Sequence, residues 1–222
     1  MNEPARDARH RVERSKARAR YDRASVHAIL DAGMLAHVGF CQGAQPFVIP
    51  MLYARDGETI MLHGSVASRL MRQLGDGIPA SLCVTLVDGL VLARSHFDHS
   101  VNYRSVVAFG RASVLADPAA KAAALARFVD ALIPGRSAES RAADASELGA
   151  TTVLVFEIED ASAKVRDGGA KENAADLALP YWAGVLPQRN VFDAPRPQPD
   201  LVAGVDLPDS VRNLLAREGA TR

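Results

Sequence analysis

Between residues 34 and 114 the chain reads as one strand after another, and this stretch limits the possible folds more than any other feature. Met34 to Cys41 is an apolar run, a Gly-containing turn spans Gln42 to Gln45, and Pro46 to Arg55 resumes the strand pattern. Asp56-Gly57 is a tight hairpin signal before Thr59 to Leu62, because Asp and Gly tolerate the positive φ angles of a type I′ turn. Ala80 to Val87 ends at a second such signal, Asp88-Gly89. Pro50 cannot donate to a ladder, so its strand belongs at an edge or a bulge. Strands joined by tight turns, with few helices between them, predict a mainly β fold: a closed or partly closed antiparallel barrel. Parallel alternation, a P-loop and a Gly-rich dinucleotide fingerprint are all missing, which excludes the common nucleotide-binding α/β folds.

Helical spacing is confined to three places. Val26, Ile29 and Leu30 mark a short helix from Asp22 to Ala32, with His27 on its exposed side and Gly33 at a left-handed C-cap. Ser65 is positioned to N-cap a second helix whose Val66, Leu70, Met71 and Leu74 form one apolar face. Asp117-Pro118 opens an Ala-rich helix with Leu125, Phe128, Val129 and Leu132 as its buried stripe, and Pro134-Gly135 ends it. Ser137 to Gly149 reads as a polar connector, and Thr151 to Glu159 as a strand that Ser162 to Arg166 extends. The expected organisation is a basic arm over residues 1–20, a barrel domain over 21–168, and a C-terminal extension over 169–222 that packs on the barrel or on a partner subunit.

Charge excludes one class of partner. Lys plus Arg equals Asp plus Glu at 26 each, so no global field draws the chain to nucleic acid or to an acidic membrane. The arm carries seven basic residues, but no aromatic is interleaved before Tyr21, so it reads as a solvated segment that packs on a partner rather than on RNA. Cys41 and Cys83 have no spacing that suggests a disulfide framework or a zinc site, and are expected as buried free thiols. No apolar run reaches the length of a membrane span, and a cytoplasmic protein is expected.

Two stretches carry chemistry. In residues 62–75, LHGSVASRLMRQLG, the turn His63-Gly64-Ser65 leads into a helix start and Arg69 adds a charge; hydroxyls of Ser65 and Ser68 with an Arg fork can hold a phosphate dianion. In residues 89–110, GLVLARSHFDHSVNYRSVVAFG, two apolar strands flank a segment dense in donors. Asn102, Tyr103, Arg104 and Ser105 sit where the second strand begins, with Asn102 and Arg104 on one face and Tyr103 and Ser105 on the other. His96, Asp98 and His99 supply an incomplete metal shell, so no metal is assigned. A Ser-His-Asp hydrolase lacks its G-x-S-x-G elbow.

The motifs LHGSVASR, DGLVLARSHFDHSVNYRSVVAFG and the late LPYWAGVLP, taken in order, resemble the flavin-nucleotide-binding proteins related to pyridoxamine 5′-phosphate oxidase, the group that includes the nitroimidazole-resistance proteins. The resemblance spans roughly residues 20–187. It implies a split β-barrel that forms a homodimer and binds FMN in clefts between the subunits. His63, Gly64 and Ser65 would then line the flavin and ribityl side, and Ser68 and Arg69 the phosphate. Asn102, Tyr103, Arg104 and Ser105 would border the same cleft, Trp182 would reach the flavin from the tail, and His63 would be the catalytic candidate. The implied activity is an oxidoreductase acting on a small molecule with NADH or NADPH as candidate donor. Alternatives are a haem-binding split barrel and a non-catalytic flavin binder. Pyridoxamine phosphate oxidases end in a basic segment that grips the substrate phosphate, whereas this chain ends DLPDSVRNLLAREGATR, so vitamin B6 oxidation is not expected.

Overall fold

The computed structural model describes Arg9 and residues 11–219; nearly half of the expected arm, residues 1–8 and His10, lies outside the described residues. In chain order the elements are β1 (Ala19–Arg20), α1 (Arg23–Ala32), β2 (Leu35–Gln42), β3 (Gln45–Leu52), β4 (Ala54–Asp56), β5 (Thr59–Ser65), α2 (Arg69–Gly75), β6 (Ala80–Leu92), β7 (Ser100–Val114), α3 (Pro118–Leu132), α4 (Ala145–Ala150), β8 (Thr151–Arg166), β9 (Gly184–Pro187) and α5 (Asp209–Gly219). All pairings are antiparallel, and the sheet runs β3-β2-β6-β7-β8-β5-β4, with β1 added to β8 and β9 added to β6. The two ends of that order, β3 and β4, are consecutive in the chain and separated only by Tyr53. The sheet therefore rolls until its edges meet at one residue and diverge elsewhere, which is a split barrel. Tyr53 is fitted to that corner: it is 2% exposed, its hydroxyl donates to the Leu30 carbonyl at 2.5 Å, and its N–H to that of Met34 at 3.1 Å. Burial keeps its phenol neutral well above the usual range.

Alternation along the strands sorts the side chains into two layers. Val38, Ile60, Leu62, Leu82, Val84, Val106, Ala108, Leu154 and Phe156 fill the barrel, whose interior also takes Ile29 and Leu30 of α1 and Leu70, Met71 and Leu74 of α2. A smaller outer cluster lies under α3, where Ala124 and Phe128 pack on Ala54, Met61 and Val153.

Several local expectations change. Asp88-Gly89 is no hairpin: β6 runs on through it to Leu92, with a bulge between Val87 and Gly89. Glycine is required there because a Cβ would meet the Leu186 carbonyl oxygen of β9 at 2.8 Å. At Asp56-Gly57 the hairpin stands, but only Gly57 has positive φ, so the turn is not type I′. Gly33 has φ −101° and is no left-handed cap; its Cβ would meet Val84 at 2.7 Å and the Tyr53 hydroxyl at 2.8 Å. Ser68, not Ser65, caps α2, accepting from the Met71 N–H, and Val66 is exposed outside the helix. His27 is half-buried beside Glu58 rather than exposed. Cys41 is exposed and Cys83 partly so, contrary to the buried thiols expected. Residues 137–149 hold all but the last residue of α4, whose N-terminus carries an Asp144–Glu147 capping box. β3 is an edge strand, the first of the two settings expected from Pro50.

The end of the arm packs on its own barrel: Ala19 and Arg20 pair with Lys164 and Ala163, and the Val12 N–H donates to the Tyr21 hydroxyl at 3.0 Å. No helix among the described residues is long and apolar enough to cross a membrane.

Candidate functional site

The expected site residues fall into two groups. His63, Gly64 and Ser65 are the last residues of β5, not a turn. His63 and Ser65 point outward, toward α3, because Leu62 and Gly64 point inward, Gly64 against Met71. The His63 ring lies 4.3 Å from that of Phe128, tilted by 33°. Its Nδ1 is buried without a hydrogen-bond partner, and burial lowers its pKa below the ordinary 6.5. A neutral imidazole on an apolar wall with an orphaned nitrogen is a group built to meet something else. The loop then turns through Ser68, whose hydroxyl already caps α2, to Arg69. The Arg69 guanidinium sits 4.9 Å above the Phe47 ring, and no carboxylate among the described residues pairs with it. It is a held, unneutralised cation.

The lowered His63 pKa has a thermodynamic consequence. The unfolded chain protonates its imidazole near 6.5 and the folded chain only at lower pH, so this contribution is complete above 6.5 and is lost as pH falls from there toward the folded value. The urea midpoint should therefore fall between about pH 7.5 and about pH 5.5, and fall less in His63→Gln. An equal fall in both proteins would remove His63 as the cause.

The second group is on β7. Asn102 is 8% exposed and its Oδ1 accepts from Arg166 and from the Gly168 N–H at 3.1 Å; Arg166 also donates to the Gly168 and Gly169 carbonyls at 2.9 Å each. Arg104 grips Asp88 through two bonds of 2.9 and 2.7 Å. Both side chains are engaged within the chain, the first pinning the end of β8 and the second the β6 bulge. Tyr103 and Ser105 remain on the outward face, opposite in direction to buried Val106 and Ala108. That face is apolar and open. Val101, Leu90 and Leu186 are register partners across β7, β6 and β9, and are 37, 43 and 56% exposed. Trp182 joins it, since its ring occupies the place a Cβ on Gly184 would take, 2.8 Å away, while staying 68% exposed.

Within one chain the two groups do not meet. On β8, His63 is opposite Val153 and Tyr103 is opposite Arg166. Those partners are 13 residues apart (166 minus 153), roughly 40 Å of strand.

The intervening loop holds the polar residues of the SHFDHS segment. Arg94 donates to Glu172 from its backbone N–H and its guanidinium, both at 2.7 Å, which ties the loop to the tail. His99 Nδ1 lies 2.9 Å from the Ser95 carbonyl, and His96 is exposed. No three His, Cys, Asp or Glu side chains among the described residues could share a metal ion.

Sequence reasoning missed Phe128, which makes the wall behind His63, and Phe47, which supports Arg69. Both are ordinary core residues until the fold brings them to the site.

Comparison with known proteins agrees with this fold. The family model for pyridoxamine 5′-phosphate oxidase matches residues 22–165. Among solved structures, the flavocytochrome Anf3 from Azotobacter vinelandii is 42% identical, with 94% of this chain and 97% of that chain covered and a TM-score of 0.88. An FAD and haem binding protein from Mycobacterium smegmatis is 37% identical over 89% of this chain and 97% of that one, with a TM-score of 0.85. A candidate 5-nitroimidazole antibiotic resistance protein from Bacteroides thetaiotaomicron is 17% identical over 66% of this chain and 86% of that one, and its TM-score of 0.53 speaks for the fold alone. No curated protein sequence matches the chain. The split barrel, the motifs at its two site regions and these matches together place the chain in the pyridoxamine 5′-phosphate oxidase family.

Proposed function

We infer that the chain is a flavin-binding oxidoreductase whose cofactor lies between two copies of the chain. The observation that carries this reading is the separation of the two residue groups: His63, Ser65, Ser68 and Arg69 at one end of β8 and Tyr103, Ser105 and Trp182 at the other. Neither group encloses a ligand alone. A second copy docked on the open row of Val101, Leu90 and Leu186 would cover an apolar face that a monomer leaves in water and would bring one copy's second group to the other's first.

The residues fit a flavin nucleotide. Arg69, without a carboxylate partner, suits a phosphate, with Ser68 immediately before it and Ser65 at the end of β5 in the same segment. The orphaned Nδ1 of His63 suits the polar edge of a ring stacked near Phe128. Trp182 and Tyr103 provide flat apolar area for the opposite side. A bound flavin would supply the electron transfer; the protein's part is to grip the phosphate, exclude water and hold His63 neutral. FMN is the flavin that the family resemblance implies, and a reduced nicotinamide with a small organic oxidant would be the substrates of a cytoplasmic enzyme of this type.

A second reading adds haem to the flavin. It is favoured by the two relatives above, one a flavocytochrome and the other an FAD and haem binding protein, and by His63, whose neutral, half-buried imidazole has the character of an axial ligand. The test is the visible spectrum of the purified protein, followed by titration with FMN and FAD. Flavin bands with micromolar or tighter binding are expected, and a Soret band that vanishes in His63→Ala would add the haem. Absence of both chromophores, with no binding on titration, would overturn the reading. Steady-state NADH or NADPH oxidation by the loaded protein separates an enzyme from a carrier.

A further inference from the structure

Arg166 is the one charged residue among the described residues that is buried, at 8% exposed, and no carboxylate among them pairs with it. Its bonds all go to neutral oxygens: the Asn102 Oδ1 and the carbonyls of Gly168 and Gly169. A guanidinium has five N–H donors, so two stay unspent, the Nε–H and one on Nη2. The charge that does reach Arg166 is another cation. Burial lowers the Arg166 pKa, and Arg18 lowers it further. Arg18 lies just ahead of β1, whose Ala19 pairs with Lys164, and Lys164 shares the face of β8 that bears Arg166, about 7 Å along the strand. Arg18 and Lys164 are half-buried, and neither forms an ion pair among the described residues. An unpaired guanidinium taken out of water costs stability, and further cations near it raise that cost. Tyr103 and Ser105 are the register partners of Arg166 and Lys164 on β7, so a phenol and a hydroxyl stand on the same outward face. The flavin reading uses the aromatic surface of Tyr103 and leaves these cations unused.

We propose that Arg166, Arg18 and Lys164, with the Tyr103 and Ser105 hydroxyls, form an oxyanion site that holds the acidic head of the substrate, a carboxylate or a phosphate monoester. The proposal rests on the flavin reading for its physiological meaning and names a substrate class for it: small organic acids rather than neutral molecules. The two spare donors of Arg166 suit the paired oxygens of such a head, and the other cations supply the charge that completes it. The outward row of Val101, Leu90 and Leu186 offers apolar surface for an organic body. A neutral analogue fits the same space but leaves the cations unpaired, so the site discriminates by charge.

The test is calorimetric titration of the full chain in phosphate-free buffer, with and without added flavin, using benzoate, phenyl phosphate and benzamide as probes. At least one of the two anions should bind about tenfold or more tightly than benzamide, and the tighter one identifies the head. Arg18→Gln and Lys164→Gln should each weaken that anion about tenfold while leaving flavin affinity within about threefold. Arg166→Lys keeps the charge but removes the fork and should weaken it too; if that variant does not fold, the other two decide. Arg18→Gln should also raise the melting temperature of the anion-free protein, because it removes a repulsion, and a saturating anion should raise that of wild type by more than that of the variant. A lower melting temperature in anion-free Arg18→Gln would overturn the repulsion on which the site rests. Benzamide binding as tightly as both anions, or anion affinity unchanged in Arg18→Gln and Lys164→Gln, would overturn the site itself. Flavin affinity that falls in step with anion affinity would give the cations to the cofactor and overturn the substrate assignment. If flavin does not bind but the anion does and depends on Arg18, the flavin reading fails while the oxyanion site stands; if flavin binds and neither anion does, the site falls alone.

Discussion

Gly110→Ala is expected to be among the most destabilising single-methyl additions available in this protein. A Cβ at that position would lie 1.9 Å from the Glu157 carbonyl oxygen and 3.1 Å from Phe156 Cζ. The first obstacle is backbone in the centre of the sheet, so no rotamer change relieves it. Gly110 pairs with Ala80 on one side and Ile158 on the other, at the point where the β7–β8 register shifts by a residue. Adding the methyl forces apart the two longest strands just where Phe156, which is fully buried, packs. A cost of about 3 kcal/mol or more follows from overpacking a site that cannot relax. For a domain of this size that is a fall in melting temperature of roughly 6–12 °C. Gly149→Ala is the control, since it lies in α4 and a Cβ there meets nothing within 4 Å. It should be neutral or stabilising by up to about 1 kcal/mol. Melting temperatures of the two variants that coincide would show that the strand contact at Gly110 yields more easily than this geometry allows.

The same glycine shows why the fold was partly legible in the sequence. Alternating apolar runs, the Gly43 and Gly57 turns and Pro50 gave strand positions and an edge, because these signals act within a few residues of themselves. The Asp88-Gly89 signal misled because Gly89 is needed for a long-range reason, the passage of β9 over it, and a local pattern cannot see a strand that comes 95 residues later (184 minus 89). Gly33 is the same case: its smallness serves Val84 and Tyr53, not a helix cap. The site divides in the same way. His63 and Arg69 could be picked out by residue type and spacing. That Asn102 would be taken up by Arg166, and Arg104 by Asp88, depends on strand pairings the sequence does not display. Tyr103 and Ser105 face outward because of alternation, but the apolar row beside them exists only once β9 is laid along β6.

The central claim is that one site is assembled from two copies, and complementation between variants tests it most directly. His63→Ala should lose cofactor binding from one side of the site and Tyr103→Ala from the other, each as a homodimer with both sites defective. Co-refolding the two in equal amounts creates mixed dimers in which one site carries both substitutions and the other carries neither. Random pairing makes half the dimers mixed with one intact site each, so binding should recover to about a quarter of wild-type capacity, with wild-type affinity. A site contained within one chain would have a defect in every copy, and mixing would restore nothing. Recovery to about a quarter is the result this account predicts; no recovery, with mixed dimers demonstrated by mass spectrometry, would contradict it.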